Sequence, residues 1–112
     1  MTVDVNHLHL GVDDIERSRA FYEQLGFREH LWHGDVMFMR NDHGFDLALA
    51  PHGRGAMPDW FHVGCRLDAP GEVRKLRATL DTRVFASGDE PDFVWFRMTD
   101  PDGYQIEVYW EA

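Results

Sequence analysis

With 112 residues and a formal net charge of −9, the chain has room for one domain with a real core, and it lacks the positive charge that would hold nucleic-acid phosphates or an anionic membrane. No apolar run approaches the roughly 20 residues of a membrane helix, and Met1-Thr2-Val3-Asp4-Val5-Asn6 has neither the basic nor the apolar region of a signal peptide. The single cysteine, Cys65, excludes an intrachain disulfide framework and a multi-cysteine zinc site, so the sequence predicts a soluble, cytoplasmic protein.

In chain order, Val3 to Val12 alternates as a strand, with Leu8, Leu10 and Val12 on one face and His7 and His9 on the other. Asp13-Asp14-Ile15-Glu16 has the form of a helix start with Asp13 as N-cap. Ile15, Ser18, Phe21, Tyr22 and Leu25 continue a helical stripe as far as Gly26. Phe27 to Trp32 and Asp35 to Arg40 read as strands joined near His33-Gly34. Asn41-Asp42-His43-Gly44 reads as a turn and Phe45 to Ala50 as a further strand. Pro51 to Asp59, with Gly53, Gly55, Pro51 and Pro58, reads as a linker.

The pattern then restarts. Trp60 to Asp68 is a strand with Phe61, Val63, Cys65 and Leu67 on one face and Trp60, His62, Gly64 and Arg66 on the other. Pro70 suits a first helical turn, and Val73, Leu76 and Leu80 carry the stripe. Arg83 to Ala86 reads as a short strand, Ser87 to Asp92 as a polar loop, and Phe93 to Met98 as a strand. The turn Asp100-Pro101-Asp102-Gly103 leads into a last strand, whose Ile106, Val108 and Trp110 oppose Gln105, Glu107 and Tyr109.

Each half therefore reads strand, helix, strand, strand, strand, which is a duplicated architecture. The fold class is α+β: two βαβββ modules, 1–50 and 60–112, joined by the linker 51–59; if the helices cover the aliphatic face, the polar face becomes the inside of a cup. Overlaying the halves sets His7 against His62 and Ala48 against Glu107. In all three strands His7, His62 and Glu107 share the polar face. Either histidine alone reads as an ordinary interior imidazole with a hydrogen-bond partner. At duplicated, parity-matched positions the two imidazoles and one carboxylate instead suggest a facial metal site with open positions for water or substrate.

The run Asn6-His7-Leu8-His9-Leu10-Gly11-Val12-Asp13-Asp14-Ile15-Glu16-Arg17-Ser18-Arg19-Ala20-Phe21-Tyr22-Glu23-Gln24-Leu25-Gly26-Phe27 resembles the opening of the vicinal oxygen chelate superfamily. That superfamily includes glyoxalase I, bleomycin-resistance proteins, fosfomycin-resistance transferases and extradiol dioxygenases. Phe61-His62-Val63-Gly64-Cys65-Arg66-Leu67 and Asp100-Pro101-Asp102-Gly103-Tyr104-Gln105-Ile106-Glu107 resemble its later motifs. The resemblance implies paired βαβββ modules that form a curved mixed sheet cup around a divalent metal held by His7, His62 and Glu107. It also implies chelation of two adjacent substrate oxygens by that metal.

Departures from the family pattern narrow this. The fourth ligand of glyoxalase I and related epimerases falls on Ala48, which can neither ligate nor act as a base; Asp46, on the same face, is a weaker substitute. Where the fosfomycin transferases carry a threonine two residues after the first histidine, this chain has His9, and the residues that grip a phosphonate are not evident between Arg83 and Asp92. Extradiol enzymes use a nearby His and Tyr for proton transfer, and His9 and Tyr109 share the predicted cup face. Phe38, Trp60, Trp95 and Tyr109 are expected to wall the cup, with Arg66 available to an anionic group and Arg97 facing the cup as a further substrate-binding residue. The packing alternative for the aromatics is contact between modules, and for Arg66 a surface ion pair. Cys65 has apolar parity and reads as a buried small residue, while His30, His33, His43 and His52 read as solvated turn residues.

The expectation is a homodimeric enzyme of the dioxygenase or lyase type. Its metal is Fe(II), Mn(II), Zn(II), Ni(II) or Co(II), and its substrate a small, partly apolar molecule. The alternative is a metal-free protein that sequesters an aromatic drug or metabolite, as bleomycin-resistance proteins do. Neither nucleic acid nor membrane is an expected partner.

Overall fold

A computed structural model describes every residue from Met1 to Ala112. By its internal contacts the chain divides into two units, Met1–Met57 and Pro58–Ala112. The first runs β1 (His7–Gly11), α1 (Ile15–Glu23), β2 (Arg28–His33), β3 (Val36–Arg40) and β4 (Asp46–Ala50). The second runs β5 (His62–Arg66), α2 (Pro70–Thr79), β6 (Val84–Glu90), β7 (Phe93–Thr99) and β8 (Gln105–Glu111). Neither helix is long and apolar enough to cross a membrane.

The two sheets have one topology, β1-β4-β3-β2 and β5-β8-β7-β6. The first strand of each unit pairs in parallel with its last, and the remaining ladders are antiparallel. The registers correspond as well. His9 lies opposite Ala48 and Phe38 opposite Ala48, where Gly64 lies opposite Glu107 and Arg97 opposite Glu107. Both edge ladders shift register at the same place, between Glu29 and Leu31 and between Val84 and Ala86, so His30 and Phe85 are the bulged residues.

Alternation decides which face each helix covers. In unit 1, Leu10, Met37, Met39, Leu47 and Leu49 are buried together with Phe21 and Tyr22 of α1. In unit 2, Val94, Phe96, Met98, Ile106 and Val108 are buried, and α2 packs on β7 and β8 through Val73. Burying aliphatic and aromatic side chains on one sheet face is the main source of stability for such a layer. The opposite face of each sheet carries polar and aromatic side chains, with Ala48 and Ala50 among them in unit 1.

Some boundaries differ from the sequence reading. β1 begins at His7 rather than Val3, because its parallel partner β4 begins at Asp46 and nothing pairs with Val3 or Val5. β5 likewise spans only His62–Arg66. The helix α1 is capped by Asp14, not Asp13: the Asp14 side chain accepts from the backbone N–H groups of Glu16 and Arg17. The segment Ser87–Glu90, read as a polar loop, is the second half of β6. It pairs with Phe93–Phe96 across a turn at Pro91-Asp92, and its polar side chains suit an exposed edge strand.

Candidate functional site

In unit 1 the polar face of β1 presents His7 and His9, both exposed. His7 Nδ1 lies 3.0 Å from Asn6 Oδ1. An amide oxygen only accepts, so the imidazole donates from Nδ1 and keeps its lone pair on Nε2. A metal-ligating histidine is prepared in this way.

His9 has a different partner. Its Nε2 lies 2.9 Å from His52 Nε2, and the rings stack with centroids 5.1 Å apart and planes 13° from parallel. His52 Nδ1 lies 2.8 Å from Gly53 O. The carbonyl fixes the proton on His52 Nδ1, so in the neutral pair His52 Nε2 accepts from His9 Nε2–H. The basic lone pair of His9 is then on Nδ1. His52, expected as a solvated turn residue, is exposed and yet held against β1. Two glycines allow this approach. Gly53 has φ 78°, and a Cβ on Gly11 would collide with Gly53 O and the His52 ring.

Ala48 is buried between its register partners His9 and Phe38 and brings no donor to the face. Asp46 is committed elsewhere: Arg40 Nε lies 2.7 Å from its Oδ1 and Arg40 Nη2 3.0 Å from its Oδ2. These bonds to Arg40 hold the Asp46 carboxyl below the usual carboxylate range and raise the Arg40 guanidinium in turn.

In unit 2, His62 is held as His7 is: its Nδ1 lies 3.2 Å from Trp60 O, leaving the lone pair on Nε2. Glu107 lies opposite Gly64, two residues along from His62, so His62 and Glu107 are diagonal neighbours on one face of paired strands. Across the other ladder Glu107 faces Arg97, whose Nε donates to Oε2 at 2.9 Å; the two side chains are 14% and 33% exposed.

An aromatic cluster adjoins this pair. Phe93 stacks on Trp95 at 6.2 Å and meets Tyr109 at 6.1 Å, and the Arg97 guanidinium lies 5.8 Å over the Trp95 ring. Gly88 makes room for Trp95, since a Cβ there would collide with the indole. Arg66 lies at the far end of the same face, exposed, with Nη1 3.9 Å from Glu111 Oε1. Trp60 lies in the turn before β5 rather than on the strand and is 76% exposed. Cys65, expected to be buried, is half-buried; desolvation pushes its thiol up to about 11, as suits an unreactive residue.

The structure thus groups His62, Glu107, Arg97, Trp95 and Tyr109 on one face of one sheet, and His7, His9 and Phe38 on one face of the other. Neither unit by itself gathers three His, Cys, Asp or Glu side chains around a common point.

Residues 4–108 match the model of the Glyoxalase/Bleomycin resistance protein/Dioxygenase superfamily. A possible glyoxalase from Bacillus cereus is 29% identical, with 96% of this chain and 98% of that chain covered and a TM-score of 0.78. A fosfomycin resistance protein from Listeria monocytogenes, solved with Mn(II) and a dihydroxypropylphosphonic acid, is 16% identical over 96% of this chain and 90% of that chain, TM-score 0.79. An antibiotic binding protein from a Streptomyces species is 18% identical over 99% of this chain and 98% of that chain, TM-score 0.76. The last two share the fold. No curated protein matches the chain in sequence. By the match across nearly its whole length, the chain belongs to the Glyoxalase/Bleomycin resistance protein/Dioxygenase superfamily.

Proposed function

We propose that the protein is a divalent-metal-dependent enzyme of the dioxygenase or lyase type, and that His7, His62 and Glu107 hold the metal. The observation that carries this reading is the matched state of the two histidines. Each donates from Nδ1 to an oxygen acceptor and keeps Nε2 for a ligand. Two neutral imidazoles and one carboxylate suit Fe(II), Mn(II), Zn(II), Ni(II) or Co(II). When bound, such an ion would supply Lewis-acid stabilisation of negative charge on two adjacent substrate oxygens.

The chain's own residues would do the rest. On this reading Phe38, Trp60 and Trp95 contact the apolar part of a small substrate, and Arg66 and Arg97 attract an anionic group. His9, with its basic lone pair on Nδ1, and Tyr109, a phenol beside Glu107 on β8, transfer protons. Ala48 offers no further ligand or base, which argues against isomerase chemistry of the glyoxalase I type.

The experiment is metal analysis of protein purified without chelator, followed by titration with Mn(II) and Zn(II). About one equivalent should bind, and His7→Ala, His62→Ala and Glu107→Gln should each weaken binding by at least tenfold. Unchanged metal content in His7→Ala would refute the ligand set.

One observation favours a second reading, a metal-free binder of an aromatic drug or metabolite. Glu107 already has a cationic partner in Arg97, beside an aromatic cluster of Phe93, Trp95 and Tyr109. Tight binding of an aromatic ligand that EDTA leaves unchanged would decide for the binder.

A further inference from the structure

We infer that Arg97 is a built-in counter-ion to Glu107 that competes with the metal and so sets how tightly the protein holds it. The inference rests on the metal reading above and concerns the regulation of that same site. Arg97 and Glu107 are direct cross-strand partners, so their pairing is fixed by the β7–β8 register and not by a chance meeting of surface chains. The Nε–Oε2 distance is 2.9 Å and Glu107 is only 14% exposed, so the bond is charge-assisted and partly removed from water. The carboxylate is therefore neutralised without any metal.

A divalent ion on Glu107 would lie within a few ångströms of the guanidinium. Either Arg97 stays, and like charges repel, or it withdraws, and a charge-assisted bond is lost. Both routes weaken metal binding. The guanidinium has a partner besides Glu107, since it also lies 5.8 Å from the centroid of the Trp95 ring. Unit 1 has no such device, because the equivalent cross-strand pair is Phe38–Ala48.

The test compares Mn(II) affinity of the wild type with Arg97→Gln and Arg97→Lys, by calorimetry or competition with a chelating dye. Arg97→Gln should bind at least tenfold more tightly, and Mn(II) should raise its melting temperature more than that of the wild type. Arg97→Lys, which keeps the charge, should stay within a few-fold of the wild type. In the wild type Mn(II) should change the tryptophan emission, and Trp95→Phe should remove most of that change.

If His62→Ala and Glu107→Gln abolish binding while Arg97→Gln binds equally or more weakly, Arg97 is not a competitor and only this inference falls. If the wild type and Arg97→Gln both fail to bind Mn(II) or Zn(II), or binding ignores His62→Ala and Glu107→Gln, the metal reading falls and takes the inference with it.

Discussion

The two units of the chain have the same strand order, the same ladder registers and the same bulge, yet they differ almost everywhere on one sheet face. On the helix-covered face, Met37, Met39, Leu47 and Leu49 of unit 1 stand where Phe96, Met98, Ile106 and Val108 stand in unit 2. Every exchange there is apolar for apolar. On the other face, Phe38, Ala48 and Ala50 stand where Arg97, Glu107 and Tyr109 stand, and His9 stands where Gly64 does. His7 and His62 are the exception, matched in place and in hydrogen bonding. Fold stability constrains the covered face alike in both units, and the open face is free to divide chemistry between them. Unit 1 carries His7 and His9 on that face, and unit 2 carries His62 and Glu107 with its counter-ion Arg97.

The largest expected effects lie on the covered face. Phe96→Ala should cost about 3–5 kcal/mol and its counterpart Met37→Ala about 2–5 kcal/mol by denaturant unfolding. A cost near zero at either position would break the claim that the covered faces of the two units are equally demanding. A middle-sized effect separates the helices. α1 is capped by the Asp14 side chain, whereas the N-cap of α2 is Ala69, which offers no side-chain cap. Asp14→Ala should cost about 1 kcal/mol, and Ala69→Ser should gain a comparable fraction of that.

The smallest effect depends on pH. The bonds from Arg40 lower the folded-state pKa of Asp46, so this ion pair stabilises the fold above the ordinary carboxylate pKa. That contribution fades as pH falls through the folded-state value. Because Arg40 is 46% exposed and the pair is screened, Asp46→Asn should cost about 0.5 kcal/mol at neutral pH, with the difference from wild type shrinking below about pH 4. The equivalent pair in unit 2 is Thr99–Gln105, which carries no charge and no such pH dependence. A difference that grows at low pH would show that the sign of the Asp46 shift is wrong.

Much of the fold was legible because it rests on short-range pattern. The alternation through Val94, Phe96 and Met98, and again through Ile106 and Val108, marks strands and their covered face without reference to any partner. The duplicated pattern followed, and with it the pairing of His7 with His62 and Ala48 with Glu107. Strand ends were less legible, since Val3 and Val5 alternate as well as Leu8 and Leu10 do, and only the length of β4 decides where β1 begins.

The hairpin turn after β7 is built by Asp100, whose Oδ1 accepts from the N–H groups of Asp102 and Tyr104. Counting outward from that turn gives the Arg97–Glu107 pairing, so this ion pair was within reach of the sequence. The stacking of His52 on His9 was not. It joins two distant stretches, and its local signals were two glycines that any linker or strand end might carry.

The most direct test is a crystal structure of protein loaded with Mn(II) or Zn(II), with an anomalous difference map. One strong peak within about 2.0–2.2 Å of His7 Nε2, His62 Nε2 and a Glu107 carboxylate oxygen is the predicted result. A peak on other donors, or none at these three under saturating metal, would contradict the account.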